Sequence, residues 1–337
     1  MGAANLKSFK PPRQGDVIRF APYIVIGVIL IILPLFLPSH LQYLMARVFI
    51  FAIFALSLNL IWGYTGLFTL GHAAFFGVGG YASSILVMRY GIESFWLIAP
   101  AGILMAALVA AVFGFIALRV SGLYFLMVTF ALGELLVSLA QVDAWRDITG
   151  GTFGLRGIPP PNLGIPWFTW NGISWYYFVF LAFAICYFLL HRIVNSPFGH
   201  VLQGIREGEP RMRALGYNTW RYKYIAFIIG GLFAGVAGVL FAPFMMLIGP
   251  RHFAIVTSAE GLLYVLIGGA GTLFGPVIGA AVIISMEYGV SMYTPERWPL
   301  ILGAMFVIVV MFLRGGIYPH LINLWRKVRL RYSQWKH

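Results

Sequence analysis

Charge is scarce in this sequence. Only 10% of its 337 residues are Asp, Glu, Lys or Arg, while 61% are hydrophobic and the mean hydropathy is +0.88. A soluble globular domain carries about 25% charged residues, so a water-soluble fold is excluded. Cysteine is almost missing: Cys186 stands alone, which rules out an internal disulfide. Acidic residues are also few, ten against 23 basic, leaving a net charge of +13. On a soluble chain that excess would suggest nucleic acid. Here the basic residues flank apolar runs, as positive-inside membrane topology requires, and nucleic acid is not expected as a partner. No G-x-x-x-x-G-K-[ST] phosphate loop is present, so any ATP hydrolysis must come from another chain. His72 has no second His or Cys at metal-ligand spacing, so no metal is expected. Neither paired acids nor a nucleophile beside a base stands out, which argues against a membrane enzyme.

Long apolar runs are what the chain has in quantity. They are continuous, unlike the alternating strands of a membrane barrel, so the expected fold is all-α and polytopic. A window of ~20 residues places spans at 21–38, 43–62, 67–88, 95–118, 122–141, 174–191, 222–247, 256–270, 276–292 and 298–314. The first is read as a retained helix rather than a signal peptide, since Pro34 and Pro38 interrupt it and no small-x-small site follows. Charge distribution agrees with about ten spans. The segment 1–20 carries Lys7, Lys10, Arg13 and Arg19 against Asp16, the tail 318–337 carries Arg326, Lys327, Arg329, Arg331 and Lys336, and the 191–223 loop carries six basic residues against Glu207 and Glu209. All three then face the cytoplasm, with both termini inside, while the opposite loops 89–94 and 142–173 are nearly neutral. Trp167 and Trp170 suit the interface belt at the end of the second of these. Residues 21–317 read as one membrane domain.

The polar run Asn195–Lys223 is the longest with helix signals. Ser196 suits an N-cap and Pro197 the first helical position, while Gly216 suits a helix stop. Val201, Ile205, Met212 and Leu215 form an apolar stripe, with Arg206, Arg211 and Arg213 around it. Pro210 is expected to break or restart the helix near Gly208. The pattern predicts a short, bent amphipathic helix outside the bilayer, which suits docking to a protein and lying on anionic lipid equally well.

Within the spans, Glu134, Glu260 and Glu287 are costly acids and candidate functional groups, with interfacial solvation or interhelical hydrogen bonding as the alternative. Glycines crowd two regions: Gly63, Gly66, Gly71, Gly77, Gly79 and Gly80, then Gly261, Gly268, Gly269, Gly271, Gly275 and Gly279. They serve close helix packing or broken helices that line a path, and the two readings are compatible. Asn59, Tyr64, Thr65, Gly66, Gly71, His72, Glu134, Gly268 and Gly269 are the candidate lining of a translocation path, with Thr69 as a further polar neighbour. A lone intramembrane His such as His72 is more often a packing hydrogen-bonder than a ligand. The external GGTFGL element either contacts a partner or is an ordinary turn-rich loop.

The order S-P-F-G-x-x-L-x-x-I-R-E-x-E-x-R-x-x-A-L-G-Y from Ser196 to Tyr217 resembles the coupling segment of permease subunits of branched-chain amino acid ABC importers. Similar stretches run from 57–83 through 121–136, 149–155, 222–242 and 258–282 to LRGGI at 313–317, and follow the larger, M-type subunit. Two departures stand out: Gly208 where the family often has Asn, and Phe153 where it often has a polar residue.

This resemblance implies an ABC importer permease fold whose segment 196–217 meets an ATPase. The coupling residues it implies are Ser196, Pro197, Phe198, Gly199, Ile205, Arg206, Glu207, Glu209, Arg213, Leu215 and Gly216. It further implies a second related permease subunit, two cytoplasmic ATPase subunits carrying ATP and Mg, an external substrate-binding protein, surrounding lipid and a bacterial inner-membrane location. The implied cargo is a branched-chain or other hydrophobic amino acid, with urea and short amides the nearest alternative. An ion-coupled secondary transporter is a second class, though it leaves the 196–216 helix unexplained.

Overall fold

The computed structural model describes residue 27 and residues 29–164, 169–292, 298–312 and 316–318. The segment 1–20, residues 21–26 and 28 of the span expected at 21–38, Trp167, the start of the LRGGI motif and the tail beyond Tyr318 lie outside these residues. Within them the chain is all-α, in the order α1 (Ser39–Asn59), α2 (Ala73–Tyr90), α3 (Phe95–Ala117), α4 (Leu123–Gln141), α5 (Gly172–Val194), α6 (Pro197–Ala214), α7 (Thr219–Met245), α8 (Ile255–Gly268), α9 (Gly275–Ser291) and α10 (Trp298–Phe312). A π-helical turn, Leu60–Tyr64, extends α1. Five segments are long and apolar enough to cross a membrane among the described residues: Ser39–Tyr64, α3, α4, α5 and α7. α2, α8, α9 and α10 occupy four more of the expected spans but are shorter or less apolar. The span expected at 67–88 starts only at Ala73, because the preceding glycine-containing stretch leaves the helix.

α1 and α7 form the centre. Every residue from Val48 to Ile61 is buried, as expected of a helix that is apolar on all sides. α1 packs against α5, α7, α8 and α9, while α7 packs mainly against α2 and α3. Lipid chains are as apolar as the helix surfaces, so association depends on close contact rather than on leaving water. Glycines on three sides of α7 supply that contact. Gly230 faces Ser57 and Ile61 of α1, Gly231 and Gly235 face Ala110 and Ala106 of α3, and Gly238 faces the backbone of α2 at Phe76. Phe76 fills the adjoining space with ring centroids 5.3 Å from Phe54 and 5.1 Å from Phe241.

The connections gather at two ends. At one, Asn162 exchanges backbone hydrogen bonds with Glu93 and Phe95, and β1 (Leu155–Arg156) pairs antiparallel with β2 (Leu247–Ile248). At the other, the turn after α1 meets α6 and the α8–α9 connection. This is the grouping that alternate crossing of the bilayer requires.

A Cβ at Gly238 would overlap the Phe76 carbonyl, whereas one at Gly289 meets nothing within 4 Å. Gly238→Val is therefore expected to force α2 and α7 apart at a cost of about 1–3 kcal/mol or more. It should lower the recovery of monodisperse protein in mild detergent, with Gly289→Ala indistinguishable from the parent; an unaffected Gly238→Val would refute this packing.

Candidate coupling and translocation site

α6 is built as its local sequence dictates. Ser196 caps it, its Oγ accepting from the Gly199 N–H at 3.4 Å and donating to the Ile193 carbonyl at 2.6 Å, and Pro197 takes the first turn. The first half lies against the body through buried Gly199, Val201, Leu202 and Ile205, and Phe198 stacks on Tyr222. At Gly208 the backbone is extended, φ 179° and ψ 87°, so the helix is two segments meeting at a kink that Pro210 follows.

The kink corrects the expected single stripe. Val201 and Ile205 are buried, but Leu215 is 72% exposed, because the break rotates the second segment out of phase with the first. Leu215, Gly216 and Tyr217 stand outward, together with Glu207, Pro210, Arg211 and Arg213. The residues expected to couple therefore divide. Ser196, Pro197, Phe198, Gly199 and Ile205 hold the helix in place, and Glu207, Arg213, Leu215 and Gly216 are exposed.

Glu209 ties the second segment to α7. Its carboxylate accepts from Arg213 at 2.8 Å, from the Thr219 hydroxyl at 2.9 Å and from Lys223 at 2.5 Å. Partial burial pushes its pKa up, but the hydrogen bonds from Lys223, Thr219 and Arg213 outweigh that and hold it below the ordinary carboxylate value.

The two Gly-rich regions are interrupted where their helices meet. After the π turn the chain leaves the helix at Gly66, φ +79°, and re-enters at Ala73; after α8 it leaves through Gly269 and Gly271, φ +116° and +80°. Asn59 joins the two breaks. Its Nδ2 donates to the Thr272 carbonyl at 2.8 Å and its Oδ1 accepts from the Gly271 N–H at 2.9 Å. Arg206 of α6 reaches the same place and donates to the Gly63 carbonyl. A cavity of about 290 Å³ opens beside them, lined by Tyr64, Gln203, Arg206, Glu207 and Gly271.

Of the expected path residues, Asn59, Tyr64, Gly66, Gly268 and Gly269 thus cluster around the two breaks, and buried Thr65 adjoins them, donating to the Leu60 carbonyl at 2.9 Å. Gly71 and His72 lie at the far side of the first break. Gly71 touches the α4 backbone at Thr129, and fully buried His72 places Nε2 2.8 Å from Ser57 Oγ. Ser57 gives its proton to the Phe54 carbonyl, so His72 Nε2 is the donor. Glu134 stands elsewhere: its Oε1 accepts from the Ile255 N–H at 3.4 Å, at the positive N-terminal end of α8.

Arg47 and Ser258 escaped the sequence reading. Arg47 donates to both carboxylate oxygens of Glu287 at 2.9 Å, and Ser258 accepts from the Ala73 N–H at 2.9 Å, capping α2. A lone Arg in one apolar run and a lone acid in another was a readable signal. The Ser258 contact, made to backbone, left none. Among the described residues no three His, Cys, Asp or Glu side chains gather as metal ligands.

A body of apolar helices with paired breaks, and an amphipathic helix held across them, defines a polytopic membrane protein of the transporter type. The chain belongs to the family of branched-chain amino acid transport system permease components, whose model matches residues 40–310. It is 32% identical over 292 residues to the high-affinity branched-chain amino acid transport system permease protein LivM of Escherichia coli, covering 80% of this chain and 68% of that protein. The corresponding LivH protein of the same organism is 23% identical over 284 residues, covering 79% and 90%. A probable LivM of Methanocaldococcus jannaschii is 23% identical over 317 residues, covering 80% and 90%. No solved structure matches the chain.

Glu209 yields a pH prediction. Its pKa is lower folded than unfolded, so its stabilisation is present above the unfolded carboxylate value and disappears as pH falls through the folded one. Protection of the amides across 209–217, relative to their intrinsic exchange rates, should fall on acidification below about pH 4.5, and Glu209→Gln should show the reduced protection already at pH 7, by a loss of about 1–2 kcal/mol. Identical exchange in both proteins at pH 7 would exclude the tie.

Asn59→Leu retains bulk and removes both hydrogen bonds across the breaks. With two backbone groups left unsatisfied at about 1–3 kcal/mol each, the thermal unfolding midpoint in detergent should drop by several degrees, and no change would show that the bridge contributes nothing.

Proposed function

We propose that this chain is the permease subunit of an ATP-driven importer and forms a translocation path for branched-chain amino acids. The observation that carries the reading is the family match over 40–310, which includes α6, both helix breaks and Asn59. The architecture supplies the physical sense. An ATPase closes and opens, and its movement reaches a membrane protein only through something that protrudes and is anchored. α6 protrudes at Leu215 and Tyr217 and is anchored at Ile205, Arg206 and Glu209.

In this reading α6 and the two breaks face the cytoplasm, both termini lie on that side, and the chain crosses the membrane about ten times, in keeping with the positive-inside distribution. The partners are a second permease subunit related to this one, two ATPase subunits that hold ATP and Mg, and an external binding protein that selects the cargo. This chain performs no covalent chemistry. The exposed tip of α6, with Glu207, Arg211, Leu215 and Tyr217, is the surface offered to the ATPase, and the path runs past Asn59, Tyr64 and Thr65. Phe153, 68% exposed on the GGTFGL turn, faces the binding protein in this arrangement.

Co-expression with its neighbouring gene products and reconstitution in vesicles tests this. Leucine, isoleucine or valine should stimulate ATP hydrolysis and drive uptake when the binding protein is present. Stimulation by urea or a short amide alone would replace the cargo. Uptake driven by an ion gradient, without any ATPase, would overturn the reading.

A further inference from the structure

Arg206 does not behave as a surface charge. Like its neighbour Glu207 it is exposed over much of its surface, yet its guanidinium turns back from α6 and donates to the Gly63 carbonyl in the π turn that ends α1. The end of a helix leaves carbonyls without intrahelical partners and carries the negative pole of the helix dipole. A guanidinium there satisfies both at once. The approach is possible because the facing positions lack side chains: the Arg206 stem runs along Gly66, and its head lies between Gly63 and Gly271. Gly271 in turn donates to Asn59, which also holds the Thr272 carbonyl. The end of α1, the α8–α9 connection and α6, three parts distant in sequence, therefore meet at one side chain. That side chain precedes the Gly208 kink by two residues and follows the buried anchor Ile205 directly.

We infer that Arg206 is a latch: a positioning residue that binds the two helix breaks together and keeps this end of the path shut until α6 moves. This rests on the transport reading above and specifies how motion of α6 reaches the path. Withdrawal of α6 removes the guanidinium from Gly63 and Gly271 together. The cavity beside Tyr64 and Gln203 then joins the space between the breaks, and Thr65, only 2% exposed, meets water.

The test is thiol accessibility. A cysteine at Thr65 (Thr65→Cys) is labelled with a water-soluble maleimide in open membrane fragments of the full chain, without ATP or amino acid. Cys186 is buried, and the parent lacking Thr65→Cys supplies the background. Arg206→Met should raise the labelling rate at least tenfold, and Arg206→Lys should return it most of the way, since an ammonium also donates to a carbonyl. A second buried position, Ser84→Cys, guards against general loosening, because Ser84 is 1% exposed and lies at the opposite end of the body. An unchanged rate at Thr65→Cys, or an equal rise at Ser84→Cys, overturns the latch. In the reconstituted transporter, Arg206→Met should lower uptake per ATP hydrolysed at least tenfold with the complex still assembled; a proportional fall of both overturns it as well. A wild-type complex without ATP-driven uptake would instead sink the transport reading, while the labelling result would still stand on its own.

Discussion

A helix that stops inside a membrane protein exposes backbone groups to surroundings that offer no water, and every such group needs a partner from the protein itself. The described structure depends on how it meets that demand at the two breaks. One side-chain amide, that of Asn59, serves as donor to one strand of backbone and acceptor from it within the same connection. An amide is among the few side chains that do both. The breaks persist because they are mutually satisfied.

The glycines divide between two physical tasks that their identity alone does not separate. Those on α7, and Gly79 on α2, lie in regular helix and remove bulk so that backbones touch. Gly66, Gly269 and Gly271 have positive φ, a conformation other residues adopt at a cost, and they turn the chain out of the helix. The first task fixes the distance between helices and the second permits an interruption. Together they give a body that is tight along the centre and open at the breaks.

Much of this was legible. Ser196, Pro197 and Gly216 mark the helix ends because capping is local chemistry, and Pro210 announced the kink for the same reason. The exposure of Leu215 was not legible, since a stripe counted straight through Gly208 assumes one helical phase where there are two. The inward turn of Arg206 was hidden because its partner is a carbonyl, and a carbonyl belongs to every residue type. Glu134 is a path candidate on the general rule for intramembrane acids, with an interhelical hydrogen bond as the alternative, and the bond it accepts from the first turn of α8 depends on packing rather than spacing. The number of spans was harder to read than the class of fold, because hydropathy windows run across the breaks and do not register where a helix ends.

One feature of α7 bears on the whole assembly. It runs unbroken for 27 residues, roughly 40 Å at 1.5 Å per residue. Lys223 near its start grips Glu209, and β2 just past its end pairs with the loop that holds Phe153. Its glycines seat it closely against α1, α2 and α3, and Pro243 lies near its far end. It therefore reaches both ends of the body, the outer segment of α6 at one and the strand pair at the other. Two connections distant in sequence, one at each end of the body, are thereby joined by one continuous helix.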